Sequence, residues 1–92
     1  MSLSLVEYRA KLINKILFAG SPEDVKRYIN AAMKALERNK VNGHIVARFV
    51  DKMISESGQF NPIKKDSRQW NNIQMALIHL YRIKLQIGVM AK

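Results

Sequence analysis

The sequence of 92 residues contains no cysteine, only four glycines and two prolines, and few acidic side chains. The absence of cysteine excludes disulfides, thiolate metal sites and cysteine nucleophiles. Seven Asp and Glu stand against 16 Lys and Arg, which gives a formal net charge of +9. Such an excess of positive charge favours anionic partners, either nucleic acid or acidic proteins.

The chain also lacks a long apolar run. No stretch approaches the about 18 consecutive apolar residues that a membrane-spanning helix needs. The apolar N-terminal stretch is interrupted by the charged residues Glu7, Arg9, Lys11 and Lys15. We therefore expect no signal peptide and no membrane partner, and a cytoplasmic location.

The few glycines and prolines coincide with the predicted ends of apolar-periodic stretches. They are Gly20, Pro22, Gly43, Gly58, Pro62 and Gly88. Glycine supplies the left-handed conformation that ends many helices, and proline fits the first helical turn. The pattern predicts a single all-α domain over 1–92. Its helices, at about 4–19, 22–39, 44–57 and 67–87, form a compact four-helix bundle, and the loop around Phe60-Asn61-Pro62 closes one end.

Two helix starts carry strong local signals. Ser4 and Glu7 have the S-x-x-E spacing of a capping box. Ser21 precedes Pro22, with acidic residues in the following turn, which suits the positive end of a helix dipole.

The sequence offers no catalytic motif. Neither His44 nor His79 has a carboxylate or a second histidine three or four residues away, the spacing that helical metal sites use. No Gly-rich phosphate loop and no G-x-S-x-G motif occur. We expect no enzyme activity, metal, cofactor or small-molecule substrate. An enzyme stays an alternative only if folding brings the two histidines together.

Basic residues form two candidate sites for nucleic acid. Arg27, Lys34 and Arg38 share the outer face of the second predicted helix, where a row of cations can follow a phosphate backbone. Lys64, Lys65 and Arg68 precede Trp70, a combination that suits single strands. The competing interpretation of both groups is an ordinary solvated surface.

The first and fourth predicted helices have unusually wide apolar arcs, wider than the about 100° stripe that a surface helix needs. Either they are central in the bundle or part of each arc meets another protein. The candidate interface residues are Val6, Ile13, Leu17, Ile78 and Leu85. The sequence thus favours a non-enzymatic interaction or structural module that binds a protein partner or forms a homodimer. Nucleic-acid binding through the second helix is the alternative.

Overall fold

Four α-helices make up the regular structure in a computed structural model that describes residues 4–59 and 67–90. They are α1 (Leu5–Leu17), α2 (Pro22–Arg38), α3 (Gly43–Gly58) and α4 (Ser67–Met90). Side chains in α4 are described as far as Ile87. The predicted all-α four-helix bundle is confirmed, with the predicted bounds displaced by up to three residues.

The helix starts follow the predicted capping rules. The hydroxyl oxygen of Ser4 accepts a hydrogen bond from the backbone N–H of Glu7 (3.4 Å), and that of Ser21 accepts one from Asp24 (3.3 Å). Pro22 is the first residue of α2. These contacts satisfy amides that have no partner within the helix, so local sequence is sufficient to set both starts.

The prediction that glycines lie at helix ends holds for Gly43 and Gly58, but the left-handed conformation expected of them is wrong. None of the glycines in the described residues adopts a positive φ angle. Gly43 begins α3, Gly58 is its last residue, and Gly88 lies inside α4, which continues to Met90. Helix ends can also be completed without a left-handed glycine, through bonds of the last turn or side-chain caps. Pro62 and the Phe60-Asn61-Pro62 loop lie outside the described residues.

The residue with a left-handed backbone conformation is instead a lysine at the end of α2. Lys40, just after α2, has φ of 54°. Its N–H donates to the carbonyl of Glu37 (3.0 Å), and the N–H of Val41 donates to that of Leu36 (3.1 Å). This pair of bonds defines a Schellman motif, in which the left-handed residue is usually glycine. Val41 also packs against the core that contains Leu36, the apolar contact that commonly accompanies the motif.

The packing explains the wide apolar arcs of α1 and α4. Each of these two helices contacts all three others, and α2 and α3 each pack against both of them. A helix with neighbours on several sides needs apolar residues around more of its circumference than a surface helix does. One contiguous core results, and its buried apolar residues are Leu12, Ile13, Ile16, Ala19, Val25, Ile29, Ala32, Leu36, Phe49, Val50, Met53, Ile73, Ala76 and Leu80.

Two assignments of helix faces need correction. Ile45, which its position predicts to be in the core, is 45% exposed. Asn72, predicted to lie on the polar stripe of α4, is fully buried, and its amide nitrogen donates to the carbonyl of Ala19 at 3.0 Å. A helical wheel gives the angle of each residue around the helix but not the positions of the neighbouring helices. Whether a residue at the margin of an apolar arc is buried therefore depends on the packing.

Candidate interaction surfaces

The outward face of α4 carries three large apolar side chains. Ile78 is 50% exposed, Tyr81 52% and Leu85 70%. Because they are spaced i, i+3 and i+7, they project from neighbouring turns on the same side of the helix. We call these three residues the α4 stripe. The sequence identified Ile78 and Leu85 as interface candidates, and the structure adds Tyr81 to them.

Positive charge borders the α4 stripe. Arg82 is exposed and takes part in no ion pair among the described residues. Lys84 reaches toward α3, where its ammonium lies 2.9 Å from a carboxylate oxygen of Asp51. This hydrogen bond raises the pKa of Lys84 above its ordinary value. The sequence of α4 contains no Asp or Glu, so Arg82 is the cation beside the stripe whose charge is not offset by a carboxylate of the described residues.

The interface candidates of α1 differ in exposure. Val6 is 66% exposed and Leu17 is half-buried, but Ile13 is only 7% exposed. The prediction that Ile13 lies at an interface is therefore wrong: the residue belongs to the core, because α1 is covered by three neighbours. Val6 lies on α1 and the stripe on α4, so the exposed interface candidates are divided between two helices.

A shallow concavity of about 530 Å³ opens between α1 and the end of α3. Ala10, Ile13, Glu56 and Gln59 line it. Its one ionisable lining group among these residues, Glu56, is held by Arg9 of α1, with 2.6 Å between Nε and the carboxylate oxygen. The ion pair thus occupies the carboxylate at the edge of this concavity.

The predicted basic face of α2 is only partly available. The guanidinium of Arg27 is bound by the carboxylate of Asp24, which raises the pKa of Arg27. Lys26 lies 3.9 Å from a carboxylate oxygen of Glu23. Lys34 and Arg38, in contrast, are exposed and belong to no ion pair of the described residues. The free charge of α2 is therefore concentrated in its C-terminal half, and Arg27 is a weak candidate.

The second basic group consists of Lys64, Lys65 and Arg68. Lys64 and Lys65 lie outside the described residues. Arg68 is exposed in the first turn of α4, and Trp70 is half-buried. No described contact joins Arg68 to the cations of α2.

The two histidines lie on different helices and differ in exposure. His44 is exposed at the start of α3, whereas His79 connects α4 to α2 through its Nε2 atom, 2.7 Å from Oδ1 of Asn30. The Nδ1 atom of His79 is buried without a hydrogen-bond partner. Burial, followed by the positive charges of Lys26 and Arg82, lowers the pKa of His79. The ring is therefore not simply solvated, because it contacts Asn30 of α2 and one of its nitrogens is buried.

Within the described residues, no cluster of three or more His, Cys, Asp or Glu side chains is placed to hold a metal ion. None of the described helices combines the length and the apolar character needed to cross a bilayer. Comparison of the chain with known protein families, with curated proteins and with solved structures gives no match. The surfaces are therefore interpreted from their own chemistry.

Proposed function

We propose that this protein is a non-enzymatic interaction module that binds an acidic amphipathic helix of another protein through the α4 stripe. The observation that carries the proposal is the exposure of three large apolar residues in register on one helix face, Ile78, Tyr81 and Leu85. Single exposed apolar residues are common on protein surfaces, but an aligned group is typical of helix-in-groove and helix-on-helix recognition.

The charges near the stripe support an acidic partner rather than a second copy. Two copies joined through α4 would bring together helices that carry Arg68 and Arg82 and no carboxylate of their own, while the charge of Lys84 is offset by Asp51 of α3. The chain as a whole has a net charge of +9. Like charges across an interface are unfavourable, whereas a partner with Glu or Asp beside its apolar anchors pairs with Arg82. Tyr81 adds an aromatic anchor of the kind that dominates binding energy at many interfaces.

A pair of designed helical peptides tests the proposal. One peptide carries Leu at i, i+3 and i+7 with Glu on the flanks, and the other carries Lys in place of Glu. We expect saturable binding of the acidic peptide only. We also expect the Ile78→Glu/Leu85→Glu variant to bind it at least about tenfold more weakly, a loss of about 1.4 kcal/mol.

The Val6→Glu variant is the control, since Val6 is 66% exposed, within the range of an exposed apolar residue such as Leu85 at 70%, but lies on α1. It should bind the acidic peptide as the parent does. Equal binding of both peptides, or equal loss in the Val6→Glu variant, would show that the stripe is not the site. A dimer in sedimentation that dissociates in the Leu85→Glu variant would assign the stripe to self-association and overturn the acidic partner.

A further inference from the structure

The C-terminal end of α2 holds three cations close together in sequence. Lys34 and Arg38 are one helical turn apart on the outward face, where neighbours at i and i+4 have Cβ atoms about 5–6 Å apart. Lys40 follows in the Schellman motif. All three are exposed, and none belongs to an ion pair of the described residues. We call Lys34, Arg38 and Lys40 the α2 basic end.

The backbone at Lys40 is unfavourable for a lysine. Its φ of 54° places the residue in the left-handed region, which costs a residue with a Cβ atom about 1–2 kcal/mol relative to the right-handed one. Glycine adopts this conformation readily and is the usual residue at this position of the motif. Residues held in a strained backbone conformation cluster at functional sites. Because glycine would avoid the strain here, the amino group of Lys40 is the feature that needs an explanation.

The surrounding turn holds Lys40 in place. Leu36, which accepts the hydrogen bond from Val41, is fully buried, and Val41 packs against the same core. These two anchors determine the direction in which the chain leaves α2. Lys40 consequently stays exposed at the end of the helix, two residues after Arg38.

One alternative explanation lies in the helix itself, because cations near a helix C-terminus are stabilised by the helix dipole. That effect accounts for about 0.3–1 kcal/mol at an exposed site, which does not exceed the cost of the left-handed backbone. Glu37 is the carboxylate within this end of α2, and it is exposed and in no ion pair of the described residues. The α2 basic end therefore keeps a net positive charge.

We infer that the α2 basic end binds the phosphate backbone of duplex nucleic acid, independently of sequence. None of the exposed large apolar residues lies on α2. The surface thus has no apolar wedge for a membrane or a protein groove. It also offers no exposed aromatic ring for unstacked bases, since Tyr28 is half-buried with the ammonium of Lys15 5.7 Å from its ring centre. Cations without a stacking platform are suited to phosphates rather than to unstacked bases.

Binding to labelled DNA and RNA duplexes across a salt series tests this inference. Three phosphate contacts predict a log–log slope of about −2.7 on B-DNA, so that affinity falls about 40-fold between about 50 and 200 mM salt. The Lys34→Gln/Arg38→Gln/Lys40→Gly variant should lose this dependence. Lys11→Gln is the matched control, because Lys11 is an exposed lysine of α1 that also belongs to no described ion pair.

Single substitutions of Lys40 distinguish the effect of its charge on binding from the effect of its backbone conformation on stability. Lys40→Gly should raise the melting temperature because the strain is relieved, and should reduce the slope on B-DNA by about 0.9. Lys40→Arg should keep the slope of the parent. An unchanged slope in Lys40→Gly, an equal reduction in Lys11→Gln, or tighter binding of single strands than of duplexes would each overturn the inference. The proposal for the α4 stripe is independent of these outcomes, since it concerns another helix.

Discussion

The side-chain amide of Asn72 donates a hydrogen bond to the backbone carbonyl of Ala19, 53 residues earlier in the chain. The bond ties the first half of α4 to the segment that follows α1. Asn72 is fully buried, and its Oδ1 atom has no hydrogen-bond partner. The contact thus satisfies a backbone carbonyl of the loop between α1 and α2, and leaves one buried acceptor unpaired.

Replacement of Asn72 should destabilise the fold strongly. We expect Asn72→Ala to lower the free energy of unfolding by about 2–3 kcal/mol, because it leaves the carbonyl of Ala19 without its donor and creates a small cavity. Asn72→Asp should cost more, since it places a carboxylate next to a carbonyl in a buried site. Asn71→Ala, at an exposed neighbour, should change stability by less than about 0.5 kcal/mol. Urea unfolding measures all three, and equal effects at Asn71 and Asn72 would contradict the assignment.

Two leucines of α4 should respond differently to truncation. Leu80 is fully buried, whereas Leu85 is 70% exposed on the α4 stripe. We expect Leu80→Ala to cost about 2–5 kcal/mol and Leu85→Ala less than about 0.5 kcal/mol. Thermal or urea unfolding compares them directly. A loss at Leu85 as large as at Leu80 would mean that the stripe is covered within the chain, and would remove the basis of the proposed interface.

The ion pair between Arg9 and Glu56 should contribute more than a typical surface pair. The side chain of Arg9 is only 12% exposed, and the two groups are 2.6 Å apart. A double-mutant cycle with alanine should give a coupling of about 1–2 kcal/mol. The pair of Lys26 and Glu23, at 3.9 Å and more exposed, should give less than about 0.5 kcal/mol and serves as the comparison. Equal couplings would show that burial of Arg9 does not strengthen its pair.

Stability should depend on pH through His79. Its pKa is lowered in the folded state, so the unfolded chain binds a proton more readily. The contribution of the neutral ring is therefore fully present above the unfolded pKa of about 6.5 and is lost as the pH falls through it. The loss levels off below the folded-state pKa.

A comparison with His79→Gln isolates this contribution. Differences in the free energy of unfolding between the parent and the variant cancel the other titrating groups. The difference should shift in favour of the variant as the pH is lowered from about 7.5 to about 5, around the ordinary pKa of histidine. A difference that stays constant over this range would show that protonation of His79 is not coupled to folding.

The helices and their starts could be predicted because the interactions that make them are local. Ser4 and Ser21 accept bonds from amides three residues away, and each helix satisfies its own backbone over four residues. The wide arcs of α1 and α4 also indicated correctly that these helices have several neighbours or a partner. For the described residues, the contacts show that both helices have several neighbours. The exposed α4 stripe is the part of the arc to which a partner could bind.

The site residues depended on information that the sequence does not contain. Ile13 and Ile78 occupy comparable positions at the edge of an apolar arc, yet one is buried and the other is half exposed. Arg27 was chosen for its place in a basic row, but Asp24 binds it. Lys40 was missed, although the apolar pair of Leu36 and Val41 around it is a signal of the Schellman motif.

By itself, therefore, the sequence determined the type, number and approximate bounds of the helices, together with the charge and the absence of cysteine. These follow from periodicity, capping and composition, which act over a few residues. Only the tertiary structure decided which apolar residues stay exposed, which cations stay unpaired and which polar side chains, such as Asn72, are buried. Those outcomes depend on helices that are distant in sequence and adjacent in space, whose relative placement no local pattern specifies.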